Sequence, residues 1–208
     1  MKTFKALGAL LAYPTQDMID ALPDLYALIV DEAIVPRAQR DGLKQLLYWM
    51  SSQDLIDLEE QYVECFDRGR ATSLHLFEHV HGESRDRGQA MVDLKSMYQA
   101  AGLWLAGNEL PDYLPALLEY LSVRTIADAH AMISDCEHIL RSIGGQLAKR
   151  ESPYASVLGA ILASAGADGF DAHPSREATP QKSMDEEWAE EPVVFGPAAA
   201  PCKPEVRT

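Results

Sequence analysis

The chain has 208 residues, 47% of them hydrophobic and 24% charged, which supports a packed core and argues against disorder or a fibre. Its 18 basic residues face 32 acidic ones, and the formal charge of −14 repels nucleic-acid phosphates and anionic membrane surfaces. Nucleic-acid partners are therefore not expected, and with no apolar run of the roughly 18 residues that a spanning helix needs, neither is direct membrane insertion.

Lys2 and Lys5 precede the apolar run 6–12, the outline of an export signal. That run is short, contains Gly8 and ends at Tyr13-Pro14 without an A-x-A site, while Phe4, Leu7, Leu10 and Leu11 share one helical face. A first core helix is expected. Thr15 caps a short helix, and Leu22-Pro23 starts one carrying Leu25, Tyr26, Leu28 and Ile29. Pro36 opens the next, in which Leu43, Leu46, Leu47 and Met50 recur at helical spacing. Asp54 starts a helix through Phe66, with Leu55, Leu58, Tyr62 and Phe66 on one face.

After a break at residues 67–70, Ser73 can cap a helix over 74–80, and Gly82 stops it. A longer helix is expected from about Asp86 to Ala101, with Ala90, Leu94, Met97 and Ala101 inward. Pro111 to Pro115 leads into the stripe Leu114, Leu117, Leu118 and Leu121, and one helix is expected over 126–143, stopped by Gly144-Gly145. Ser152-Pro153 caps a closing helix over 154–165. The expected fold is all-α, a compact bundle of roughly eight or nine helices over residues 1–166.

From residue 167 to 208, nine acidic residues oppose four basic ones, six of the twelve prolines cluster, and no helical or strand period survives. This segment reads as a disordered acidic tail of charge −5 on a body of −9. Cys65, Cys136 and Cys202 are scattered and include no C-x-x-C, so no disulfide framework or cysteine zinc site is indicated, and a reducing cytoplasm suits them.

The densest chemistry lies between Asp67 and Gly88, where His75, His79 and His81 place half of the six histidines within seven residues. His75-Leu76-Phe77-Glu78-His79 matches H-x-x-E-H, in which two histidines one helical turn apart hold a zinc ion and the glutamate is general base. A metal-dependent hydrolase is thus the enzymatic alternative, although no third ligand stands out. The other reading gives these histidines neighbouring carboxylates as partners. Cys65 and Cys136 read as core thiols, and no nucleophile elbow, phosphate loop or dinucleotide fingerprint is present.

Phe66-Asp67-Arg68-Gly69-Arg70, then Ser73 through Met91, then Glu109-Leu110-Pro111-Asp112-Tyr113-Leu114-Pro115 strongly resemble the NarJ family of nitrate reductase molybdenum cofactor assembly chaperones. Tyr13-Pro14 and the acidic, proline-containing end fit the same family. The resemblance implies an all-helical cytoplasmic chaperone related to the TorD type, not an enzyme and with no cofactor of its own. Its client would be the apo catalytic (alpha) subunit of nitrate reductase, including that subunit's N-terminal peptide. It would keep the client competent for molybdenum cofactor insertion before membrane attachment, with molybdenum cofactor biosynthesis proteins as further candidate partners.

A binder of this kind needs an apolar channel and charged rims. Phe66, Leu74, Phe77, Tyr113 and Leu117 are candidates for the channel. Asp67, Glu78, Asp86 and Asp112 are candidates for meeting basic client residues, and His75, His79 and His81 for orienting the client with a pH-dependent affinity. Arg68, Arg70, Arg85 and Arg87 read as an ion-pair network with Asp67, Glu83 and Asp86, Arg70 being placed among the client contacts as well. Trp188, Val193, Val194 and Phe195, set among carboxylates in the tail, read either as a docking segment or as part of a solvating tail.

Overall fold

The computed structural model describes residues 1–80, 85–107 and 109–169, without the side chains of residues 85 and 86. Along these residues run eleven α-helices: Lys2–Leu10 (α1), Gln16–Asp20 (α2), Leu22–Glu32 (α3), Arg37–Ser51 (α4), Leu55–Tyr62 (α5), Leu76–Val80 (α6), Arg85–Ala100 (α7), Leu114–Ser122 (α8), Ile126–Asp135 (α9), Glu137–Lys149 (α10) and Ala155–Ser164 (α11). They contain no strand, only a single antiparallel bridge between His75 and Tyr113. The fold is all-α as expected, and all described residues belong to one unit, Met1–Arg176. The other unit, Glu177–Thr208, and the expected tail beyond residue 169 lie outside the described residues.

Phe4, Leu7 and Leu10 on α1, with Leu11 just after it, are fully buried, so the N-terminal apolar run is a core helix. Its first turn is capped from a distance. The Glu32 carboxylate at the end of α3 accepts hydrogen bonds of 2.8 Å from the backbone N–H groups of Lys2 and Thr3 and from the Thr3 hydroxyl, satisfying donors that a helix N-terminus leaves orphaned. Burial acts to raise the Glu32 pKa, but these hydrogen bonds and the N-terminal amine outweigh it and hold the carboxyl below its usual value. On the other side α1 meets α8, and a Cβ at Gly8 would sit only 3.1 Å from the Pro115 carbonyl oxygen.

Every residue of α11 is buried, the pattern of a helix enclosed on all sides. It packs on α10, α4 and α1. Leu43, Leu46, Leu47 and Met50 of α4 are buried as their spacing predicts, and Gly42 allows α4 close to Ser156, whose Cβ would lie 3.1 Å from a Cβ at that position.

Three expected boundaries differ. The helix expected over 126–143 is interrupted at Cys136 (φ −103°, ψ 11°), whose thiol hydrogen-bonds to the Met132 carbonyl at 3.2 Å. Gly144-Gly145 does not stop α10, which runs on to Lys149. Each glycine weakens a helix by only about 1 kcal/mol relative to alanine, and burial of Ile139, Leu140, Ile143 and Leu147 on one stripe outweighs that. The helix expected through Phe66 changes after Tyr62 into a π-helical turn, Val63–Asp67, closed by the Arg68 N–H donating to the Val63 carbonyl at 3.1 Å. On α7, Met97 is exposed and Tyr98 is the buried anchor, its hydroxyl donating to the Pro111 carbonyl at 2.7 Å.

Candidate functional site

The bridge joins two segments distant in sequence, around His75 and Tyr113. Leu114 N–H donates to Leu74 O at 2.9 Å and Leu76 N–H donates to Asp112 O at 3.1 Å. Between them Asp112 is wholly buried. One of its carboxylate oxygens accepts from the Phe77 N–H at 3.1 Å, capping α6 from another element, and the other lies 3.3 Å from His75 Nδ1. Burying a carboxylate is costly unless it is hydrogen-bonded, and Asp112 meets that condition with these two contacts.

The short α6 is held at both ends. Ser73 Oγ accepts from the His75 N–H at 3.3 Å, and the Ser73 carbonyl accepts from His79 Nε2 at 2.9 Å. At the far end Arg70 Nη2 donates to the Glu78 carbonyl at 2.6 Å. The hydrogen bond to Asp112 raises the His75 pKa above its ordinary 6.5; desolvation and Arg87 oppose the shift, while the charges of Asp112 and Glu78 support it.

In front of these segments lies a cleft of about 330 Å³, lined by Tyr62, Phe66, Asp67, Gly69, Arg70, Ser73, Leu74, His75, Glu78 and Tyr113. The π-turn makes its back wall, keeping Tyr62 and Phe66 buried with Asp67 exposed beside them. Such one-turn π segments recur at functional sites. Gly69 follows at φ 143°, a region that side-chain-bearing residues rarely adopt.

Tyr62 hydroxyl donates to the Leu11 carbonyl at 2.9 Å and lies 3.0 Å from the Tyr113 hydroxyl. Its single proton is committed to Leu11, so Tyr113 donates to Tyr62. The Tyr62 and Phe66 rings meet at a tilt with centroids 4.8 Å apart, Tyr13 meets Tyr62 edge-on at 5.4 Å, and Tyr154 meets Phe66 at 5.1 Å. Burial pushes the phenols of Tyr62, Tyr113 and Tyr154 up, so all three are neutral at physiological pH.

Of the side chains expected to contact a client, the structure brings Phe66, Asp67, Arg70, His75, Glu78 and Tyr113 to this cleft. Asp112 and His79 stand behind it as supports: Asp112 has no exposed surface to offer a basic client residue, contrary to the expectation of a direct ion pair. Phe77 is half-buried and contributes its N–H to the Asp112 cap, and Leu117 is in the core. The side chain of Asp86, His81 and Glu83 lie outside the described residues. Among the described residues Asp67 forms no ion pair with Arg68 or Arg70, so that part of the expected network is not formed. Tyr62, Gly69 and Ser73 line the cleft without having been singled out as contacts. Tyr62 fell on an apolar stripe, and its polar role depends on Leu11 and Tyr113 arriving from elsewhere.

The zinc-hydrolase alternative requires His75 and His79 on one helical face, but His75 is a bridge residue before α6 begins, and His79 Nε2 is bonded to a carbonyl. Among the described residues no three histidine, cysteine or carboxylate side chains are arranged to hold a metal ion.

Residues 35–158 match the family described as nitrate reductase delta subunit. The chain is 41% identical over 196 residues to the nitrate reductase molybdenum cofactor assembly chaperone NarJ of Escherichia coli (strain K12), covering 91% of this chain and 83% of the relative. It is 38% identical over 201 residues to the probable nitrate reductase molybdenum cofactor assembly chaperone NarW of the same organism, covering 94% and 84%. It is 35% identical over 161 residues to the probable chaperone NarJ of Bacillus subtilis (strain 168), covering 77% and 86%.

Proposed function

The chain belongs to the nitrate reductase delta subunit family, with the NarJ and NarW molybdenum cofactor assembly chaperones as relatives, and on that premise we propose that it is a system-specific chaperone, not an enzyme, for respiratory nitrate reductase. It binds the apo catalytic (alpha) subunit through that subunit's N-terminal segment and holds it open to molybdenum cofactor insertion in the cytoplasm, before membrane attachment. Proteins of molybdenum cofactor biosynthesis are its further partners. Residues 1–166 are the chaperone domain, and residues 167–208 are an acidic appendage.

The observation that carries the site assignment is the cleft between the π-turn and the bridged segments, where Phe66, Asp67, Arg70, His75, Glu78 and Tyr113 converge. About 330 Å³ admits the side chains of one short segment but not a folded domain, which suits an anchor for a chain terminus. The rigid hydrogen-bonded frame behind the cleft limits reorganisation on binding, so less affinity is lost to ordering. Holding the terminus leaves the rest of the client free to receive its cofactor.

The test is co-purification of the chain with the apo catalytic subunit, and titration with a synthetic peptide of that subunit's N-terminus. Stoichiometric capture of both is expected, with the peptide competing against the whole subunit. Binding to neither contradicts the assignment.

A further inference from the structure

We infer that the cleft contains a guanidinium subsite, with Asp67 as counter-ion and Tyr113 as a hydrogen-bond acceptor, which takes an arginine side chain of the bound segment. The inference rests on the proposed chaperone function and names the chemistry its cleft selects.

Three observations lead to it. The first is the direction of the hydroxyl relay. The Leu11 carbonyl can only accept, so Tyr62 donates to it and Tyr113 donates to Tyr62. The Tyr113 oxygen is left with lone pairs and no free proton. A ligand group there must donate.

The second is charge. Asp67 and Glu78 line the cleft, and neither is in an ion pair among the described residues. Asp112 stands behind His75. Against these three carboxylates stand Arg70 in the lining, one of whose amino groups donates to the Glu78 carbonyl at 2.6 Å, and Arg87, whose charge acts on His75. With His75 neutral the balance of Asp67, Glu78 and Asp112 against Arg70 and Arg87 is −1.

The third is aromatic surface. Tyr62, Phe66 and Tyr113 line the cleft, and Tyr13, 46% exposed, stands edge-on against Tyr62. Cations are attracted to aromatic faces, and a planar guanidinium both stacks on a ring and forks its donors to a carboxylate and a second acceptor. An ammonium provides the charge without the plane, so lysine is the weaker occupant.

The full chain is titrated with N-acetyl-arginine amide and with its neutral isostere N-acetyl-citrulline amide, following the ring signals of Tyr62 and Tyr113 by NMR. The arginine compound is expected to bind at least about tenfold more tightly, equivalent to about 1.4 kcal/mol. Asp67→Asn, at an exposed position, is expected to reduce the preference to within about twofold. Tyr113→Phe is expected to weaken arginine binding while Asp67 retains part of the preference. Equal affinity for the two compounds, absence of shifts at Tyr62 and Tyr113, or an unchanged preference in Asp67→Asn overturns the subsite. These outcomes are separable from failure of the chaperone assignment, because binding of the catalytic-subunit peptide is measured independently: peptide binding without arginine preference removes the subsite alone.

Discussion

Asp112 and His75, 37 residues apart in sequence, meet with a carboxylate oxygen 3.3 Å from Nδ1, while the second oxygen of the same buried carboxylate caps the helix that begins one residue after His75. One side chain thus fixes both the short helix beside the cleft and the ring that lines it. The pair makes the cleft a frame-supported structure, not a surface loop.

The hydrogen bond to Asp112 holds the His75 pKa above 6.5. A raised folded-state pKa contributes stability that is complete below about 6.5, the unfolded value, and is lost as pH rises through the folded value. An NMR titration of His75 is expected to give a value above 6.5, and Asp112→Asn, which can still accept from Phe77, is expected to bring it down. A wild-type value at or below 6.5 contradicts the pairing.

The same titration acts on the client. Protonated His75 adds a positive charge beside Asp67, Glu78, Asp112 and Arg87, reducing the negative balance of the cleft. Affinity for a basic N-terminal peptide is expected to fall as pH is lowered through the His75 value and to fall with added salt. Peptide titrations at two pH values and two salt concentrations check this, and flat affinity in both means that apolar contact alone carries binding.

Gly8 and Gly145 are expected to respond oppositely to added bulk. At Gly8 a Cβ would already press on Pro115 O, and Gly8→Val forces α1 from α8 at about 1–3 kcal/mol. At Gly145 a Cβ meets nothing within 4 Å, and the residue lies inside α10, so Gly145→Ala is expected to stabilise by about 0.5–1 kcal/mol. Denaturant midpoints decide both, and a destabilised Gly145→Ala argues for a helix break there.

Every described apolar side chain that is buried falls between Phe4 and Ala163. Deleting residues 170–208 is therefore expected to leave the melting temperature within about 2 °C. A fall beyond about 4 °C, the shift of roughly 1 kcal/mol in a chain of this size, places stabilising contacts in the deleted residues.

Burial raises the Cys65 thiol despite Ser152 and Arg150, and pushes Cys136 up to about 11. In a Cys202→Ser background both thiols are expected to resist alkylation at pH 8 until the chain is unfolded. Rapid native-state labelling of either contradicts a core role.

The all-helical fold was legible because stripes such as Leu43, Leu46, Leu47 and Met50 report burial directly. Boundaries set by tertiary contact were not. Gly144-Gly145 read as a stop because local propensity says nothing of the buried stripe that carries α10 through it. Most of the cleft was legible through the run around Asp67 to His79, yet Asp112 carried the wrong expected role, because nothing local tells a carboxylate that meets a partner from one buried beneath a helix. Tyr62 shows the reverse case. Its ring belongs to the core, as the period implies, while its hydroxyl orients the cleft through a carbonyl on α1's exit and a phenol more than one helix away.

The most direct measurement of the central claim is the molybdenum content of nitrate reductase purified from a strain lacking this chain, compared with the same strain supplied with it. The account predicts catalytic subunit that accumulates with little molybdenum, restored by the wild-type chain and restored less by one carrying Asp67→Asn. Full molybdenum content in the absence of the chain contradicts it.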